Sequence, residues 1–199
     1  MIGAILVSNL GGVVTSGRVV ETEAYRGADD PASHAYRGKT KRTEVMFGEA
    51  GHAYVYFSYG FHYCLNVTTE TQGSPGAVLI RALEPLAGVQ IMRARRGVAD
   101  VRQIANGPGK LTKAMGIGIA LNGEDMVVSK RLYLLEGQPG GRIGTSPRIG
   151  VSVGQETRWR YFLTDSPFVS RGGTHNYTGE AREAKKGSSA RSLQPGFAS

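Results

Sequence analysis

Two glutamates in the stretch RVVETEAYRG are the first place in the chain where acid–base chemistry has its raw material. In a strand, Val19, Glu21, Glu23 and Tyr25 share one face, and Val20, Thr22 and Ala24 share the other, which is the better candidate for burial. A carboxylate beside an aromatic ring on a working face can gain proton affinity and act as a general base. Taken alone, the segment reads more simply as a solvated face carrying two unremarkable glutamates. Arg81 is the second candidate. It stands inside the apolar run AVLIRAL, where an unpaired charge would be costly, so it is expected to meet a carboxylate or a ligand, with Glu84 the nearby choice for a structural ion pair. The third feature is HAYVYFSYGFHYCLNV, which holds six of the sixteen Phe, Tyr and Trp residues of the chain. Tyr54 and Tyr56 share one side before a turn at Ser58, Tyr59 and Gly60, and Phe61, Tyr63, Leu65 and Val67 share one side after it. Tyr59 then rides on a hairpin tip with little to pack against. Asn66 falls on the face of His62 and Cys64, as either a satisfied core amide or a reader of base edges. His34 lies in a long loop, where a lone histidine is more often incidental. The segment NGPGK offers backbone amides at a helix start plus Lys110, a combination that suits a phosphate and suits a plain capping turn equally well. It lacks the glycine spacing of a nucleoside-triphosphate loop.

The elements that must position these residues follow from pattern. Ile5 to Val7 and Gly17 to Tyr25 read as strands joined by the loop SNLGGVVTSG. RGADDPASHAYRGKTKRTE has no sustained period and reads as a long loop, a kind that is usually functional in a compact domain. The aromatic hairpin and the run Ala77 to Leu83 follow. LAGVQIMRARR reads as a short helix with Pro85 near its start, and a second helix runs from Lys110 and Leu111 to the glycines at 116 and 118. Further strands are expected at 125–128, 131–135, 149–153 and 159–163. With strands outnumbering helices, the class is α+β, with a curved, mostly antiparallel sheet. The apolar pattern ends near residue 171, so one domain is expected over 1–171 and a disordered tail over 172–199.

Composition narrows the partners. Twenty-four Lys and Arg against sixteen Asp and Glu give a formal charge of +8, which favours an anionic partner such as nucleic acid or a membrane surface. Seven basic and two acidic residues between Arg81 and Lys113 could follow a nucleic-acid backbone. A single cysteine, Cys64, excludes an internal disulfide framework and multi-cysteine metal sites. His34, His52, His62 and His175 show no metal-ligand spacing, so no metal is expected. The apolar start MIGAILV is too short for a signal peptide or a membrane span, and an intracellular, soluble protein is expected.

The runs GRVVETEAYRG, DDPASHAYRGKTKRT, MFGEAGHAYVYFSYGFHYCLNV, VLIRALEPL, GPGKLTKAMGI, SPRIGVS and DSPFVS, in this order, resemble the alkyladenine type of 3-methyladenine DNA glycosylases over roughly Ile2 to Ser170. The resemblance implies an enzyme that flips alkylated or deaminated purines out of duplex DNA and hydrolyses the N-glycosidic bond. It implies Glu23 as the base that activates a water and Arg81 as a residue that holds that water. Tyr25, His34 and Tyr56 would sandwich the extruded base, and Asn66 would crowd the exocyclic amino group of guanine. Tyr59 would be the wedge that fills the space left by the flipped nucleotide, and Phe61 and Lys110 would contact the DNA. It also implies a protruding aromatic hairpin, a monomer, no metal or organic cofactor, an intact abasic product, and a cytoplasmic or nucleoid location in a bacterium. Such enzymes carry a helix ahead of the first strand, and MIG corresponds to its last residues. A non-catalytic nucleic-acid-binding module using the same surface is the competing reading, whereas a helix-hairpin-helix glycosylase, suggested by GPGK, conflicts with the strand-rich pattern.

Overall fold

A computed structural model describes residues 1–58 and 60–170, so Tyr59 and the tail expected from 172 lie outside the described residues. Strands β1 (Ile5–Leu10) and β2 (Val13–Tyr25) form an antiparallel hairpin closed by Gly11 and Gly12 alone. Both glycines have positive φ, 60° and 78°, the two-residue turn that matches strand twist. The expected loop SNLGGVVTSG is therefore mostly strand. Its β-branched Val13, Val14 and Thr15 favour extended backbone, and only the Gly pair turns.

Strands β3 (Ala53–Ser58) and β4 (His62–Thr68) pair as the second hairpin, with Tyr54 opposite Asn66 and Tyr56 opposite Cys64. Strand β5 (Ala77–Ala87) bonds to both β4 and β2. It extends past the apolar run through Pro85, which moves the start of helix α1 (Val89–Arg96) beyond the proline. Helix α2 (Pro108–Met115) begins with Pro108 in its first turn and ends at Gly116. Three short strands complete the sheet: β6 (Leu132–Leu135), β7 (Ile143–Ser146) and β8 (Arg160–Leu163). The order is β3-β4-β5-β2-β1-β6, with β8 joining β2 to β7 and all pairs antiparallel. Thirteen residues long, β2 bonds β5 along one edge and β1 then β8 along the other, so the sheet curls and divides there. This is the expected α+β class.

Two expected strands are absent. At 125–128 the Asp125 carboxylate accepts from the Val127 and Val128 amides at 2.9 and 3.4 Å, so a local turn replaces extended pairing. The 149–153 segment is loop, and strand β7 just before it carries no periodic signal and is held by its pairing with β8.

Behind the sheet, Leu6, Val19, Leu65, Ile80 and Leu83 pack with Met92 of α1 and Leu111, Ala114 and Met115 of α2, all fully buried. Each large apolar side chain so buried contributes about 1.5–3 kcal/mol. Apolar positions 111, 114 and 115 follow helical spacing and turn one face of α2 to this core. The helix also sits close to the aromatic hairpin: Thr112 donates to the Tyr63 carbonyl at 2.8 Å. A Cβ on Gly109 would stand 2.7 Å from the His62 ring. The NGPG segment is thus the cap and contact surface of α2.

Candidate active site

On the other side of the aromatic hairpin a cavity of about 510 Å³ opens between β3, β4, the long loop after β2 and the loop at 150–153. This lies within the range of small-molecule sites, about 300–1,000 Å³. Five residues singled out in the sequence meet on its wall: Tyr25, His34, Tyr56, Asn66 and Arg81. Strand alternation brings Tyr54, Tyr56, Cys64 and Asn66 to this side and leaves Val55 and Leu65 to the core. Tyr54 is buried and also lines the cavity. The His34 and Tyr56 rings meet edge to face, centroids 4.6 Å apart. His34 Nδ1 and the Tyr54 hydroxyl are 2.9 Å apart. Burial, with the Arg42 charge nearby, pulls His34 down to about 4, so the ring is neutral near pH 7. Burial, and then the neighbouring Cys64 thiol, pushes the Tyr56 hydroxyl up. Asn66 is a buried amide whose Nδ2 donates to the Tyr54 carbonyl at 3.0 Å, and it also lines the cavity.

The two glutamates are not on a solvated face, because both are fully buried. The alternation expected for β2 fails at a register shift between Val19 and Glu21, and the next shift, between Glu21 and Thr22, leaves Arg81 of β5 outside the pairing. Bulges re-aim side chains in this way. Arg81 turns to both acids, with Nε donating to Glu21 Oε1 at 3.0 Å and Nη1 to Glu23 Oε2 at 3.1 Å. Glu84, the partner expected from proximity, lies instead 3.6 Å from Arg18. Burial works against the Arg81 charge, but Glu23 and Glu21 outweigh it and raise its pKa.

The two acids then diverge. Glu21 accepts from Arg160 Nε at 2.7 Å and from the Ser170 amide and hydroxyl at 2.7 and 2.8 Å, so with Arg81 it has four donors, three on Oε1 and one on Oε2. Glu23 accepts from the Tyr25 hydroxyl at 2.9 Å on Oε2 and from the Ile149 amide at 2.7 Å on Oε1. A carboxylate offers about four lone-pair directions. With Arg81, three of those on Glu23 are taken among the described residues, and one on Oε1 remains. Glu23 sits just behind the cavity wall formed by Tyr25 and Arg81. Burial and the adjacent Glu23 push the Tyr25 hydroxyl up, which keeps it a donor.

Sequence reading missed the residues that hold this wall. Arg148 grips Asp30 with two bonds of 2.6 and 2.8 Å and donates to the Ala24 carbonyl at 3.1 Å. Its guanidinium lies 4.7 Å from the Tyr25 ring centroid and 5.1 Å from that of Trp159. Arg160, fully buried, joins Glu21 to the Ser146 hydroxyl. Their signal was present only as single arginines among Pro, Gly and aromatic residues, with partners more than a hundred positions away. Three further residues are those expected to contact DNA. Phe61 is 69% exposed beside the tip and stacks on His62 at 4.4 Å. Lys110 of α2 donates to Asn106 Oδ1 at 2.9 Å and does not line the cavity. Tyr59 lies outside the described residues.

Comparison with known proteins agrees with this arrangement. Residues 1–167 match the family model described as methylpurine-DNA glycosylase (MPG). A protein of Chlorobaculum tepidum is 49% identical over 174 residues, covering 86% of this chain and 83% of its own. One of Carboxydothermus hydrogenoformans is 47% identical over 173 residues, covering 86% and 90%. One of Chlorobaculum parvum is 50% identical over 161 residues, covering 80% and 77%. All three bear the name "Putative 3-methyladenine DNA glycosylase". The chain, with its aromatic cavity backed by a buried carboxylate, belongs to the methylpurine-DNA glycosylase family and is a DNA glycosylase.

Proposed function

We propose that the protein excises damaged purines, of the 3-methyladenine, 7-methylguanine and hypoxanthine class, by flipping the nucleotide out of duplex DNA into this cavity. A water activated by Glu23 then hydrolyses the N-glycosidic bond and leaves an abasic site. The observation that carries the reading is the Glu23 carboxylate, fixed by three donors behind the cavity wall with one acceptor direction unused. A general base must come within hydrogen-bond reach of the proton it takes, and that unused direction is where the water would donate. Arg81, whose Nη2 makes no bond among the described residues, would hold the water oxygen. Purines methylated at N3 or N7 are cationic, so they are good leaving groups and are attracted by electron-rich rings. One carboxylate then suffices, whereas O-glycosidases use a second acid to protonate the leaving group. Tyr25, His34 and Tyr56 supply the aromatic surfaces, and Asn66 would crowd the amino group of guanine. Tyr59 would wedge into the stack, Phe61 would follow it, and Lys110 would meet phosphate. The enzyme acts as a monomer over 1–171, without metal or cofactor. No lysine takes a Schiff-base role.

The test is single-turnover excision of hypoxanthine or 3-methyladenine from a duplex by the native chain and by Glu23→Gln, with melting curves to verify that the variant is folded. The native chain releases at least one base, and the variant loses release by about 10²-fold or more, at the low end of what a positioned base contributes. If neither base is released by the native protein, or the folded variant cuts as fast, the mechanism fails and a binding module is the better description.

A further inference from the structure

Arg42 stands on the exposed side of the cavity, in the long loop just before a short 3-10 turn at Glu44–Phe47. Its guanidinium carbon is 5.1 Å from the centroid of the Tyr56 ring, and it lines the cavity beside that ring. Its neighbour Lys39 pairs with Glu44 at 3.1 Å, whereas Arg42 has no carboxylate partner among the described residues. Its partners on the cavity wall are the Tyr56 face and, through a side-chain hydrogen bond, the Tyr54 hydroxyl. Arg42 also borders a shallower depression of about 370 Å³ lined by Lys41, Val55, Ile119 and Asn122.

We infer that Arg42 sets the balance between neutral and cationic purines in the cavity, and that it disfavours the cationic ones. This rests on the excision reading above. A ring has one quadrupole, and a cation on either face draws on it. A second cation entering beside Tyr56 meets a site already in use and a like charge close by, and is repelled. A neutral base meets no such charge, and a guanidinium stacks readily on its flat face. The cavity therefore holds an attraction for cationic bases, from its rings, and a restraint on that attraction, from Arg42.

The experiment compares single-turnover specificity, the rate constant divided by the half-saturating enzyme concentration, for 7-methylguanine and for hypoxanthine in the same duplex. It uses the native protein, Arg42→Gln and Arg42→Lys. In Arg42→Gln the ratio of cationic to neutral excision rises about two- to fivefold, the factor that one partly exposed cation–π contact represents. In Arg42→Lys, which keeps the charge, it stays closer to native. Any loss of phosphate affinity or stability lowers both substrates together and cancels in the ratio. Release of both bases with a ratio that is unchanged or lowered in Arg42→Gln overturns this inference alone. Release of neither base by the native protein overturns the excision reading and this inference with it.

Discussion

Arg81 is divided between two carboxylates at nearly equal distances, 3.0 Å to Glu21 and 3.1 Å to Glu23, and the two acids differ in what else they bond. Glu21 takes four donors from Arg160, Ser170 and Arg81, so its role is to hold the arginines. Glu21→Ala would leave two buried guanidiniums short of a partner, a defect that costs about 3–5 kcal/mol. Urea denaturation is expected to show a loss of that size. Glu23→Gln, which keeps its shape and its acceptor oxygen, loses less stability than Glu21→Ala and far more activity. His34 makes a separate prediction. Burial favours its neutral form, so below the ordinary histidine value of about 6.5 the unfolded chain takes up a proton that the folded chain refuses. The stability this ring contributes is therefore full above about pH 6.5 and declines as pH falls through 6.5 toward 4. NMR titration of the ring protons should give a midpoint near 4, and a midpoint near 6.5 would mean that the ring is not enclosed as the geometry implies.

At the scale of elements, the loop between β2 and β3 must hold His34 and Arg42 in place with only one short 3-10 turn of its own. Asp30 does this by accepting from the Arg26 and Ala32 amides at 3.0 and 3.1 Å and gripping Arg148 with both oxygens. Burial alone would raise the Asp30 carboxyl, but the hydrogen bonds from Arg148 hold it below its ordinary value. Its contribution is therefore complete at neutral pH and is lost only as pH falls through that depressed value. Asp30→Asn breaks a buried pair, so the melting temperature is expected to drop by on the order of 10 °C, at a few degrees per kcal/mol for a chain of this size. The same variant should raise the half-saturating concentration for lesion DNA more than it lowers the rate at saturation, because it loosens the wall and not the base. Several elements were legible before the structure was known. The core-facing pattern of α2 and the alternation along β3 and β4 carry their period locally. The strand expected at 149–153 was not legible as loop, because Ile149 directs its amide to Glu23 and not to a neighbouring strand.

At the scale of the whole molecule, the excess of eight positive charges sets affinity for a polyanion without choosing a sequence. Lys110 stands on α2, whose first turn lies against His62 beside the turn of the aromatic hairpin. Lys110→Ala is expected to weaken duplex binding to a similar extent for damaged and undamaged DNA. The slope of log affinity against log salt should become shallower by about one, and an unchanged slope would remove Lys110 from the phosphate contacts. The sequence alone determined the α+β class, the basic balance, the aromatic concentration in one hairpin and, through long motifs in register, the family. Period alone did not separate the two glutamates on one nominal strand face, and Glu23 was singled out only through the resemblance. Their local surroundings are alike, and strict alternation gives both the same side. What tells them apart are partners 126 and 139 residues away, the Ile149 amide on Glu23 and Arg160 on Glu21. Period is a local property of the chain, whereas the desolvation and pairing of a charge depend on every segment that folds around it, and those the tertiary structure decides.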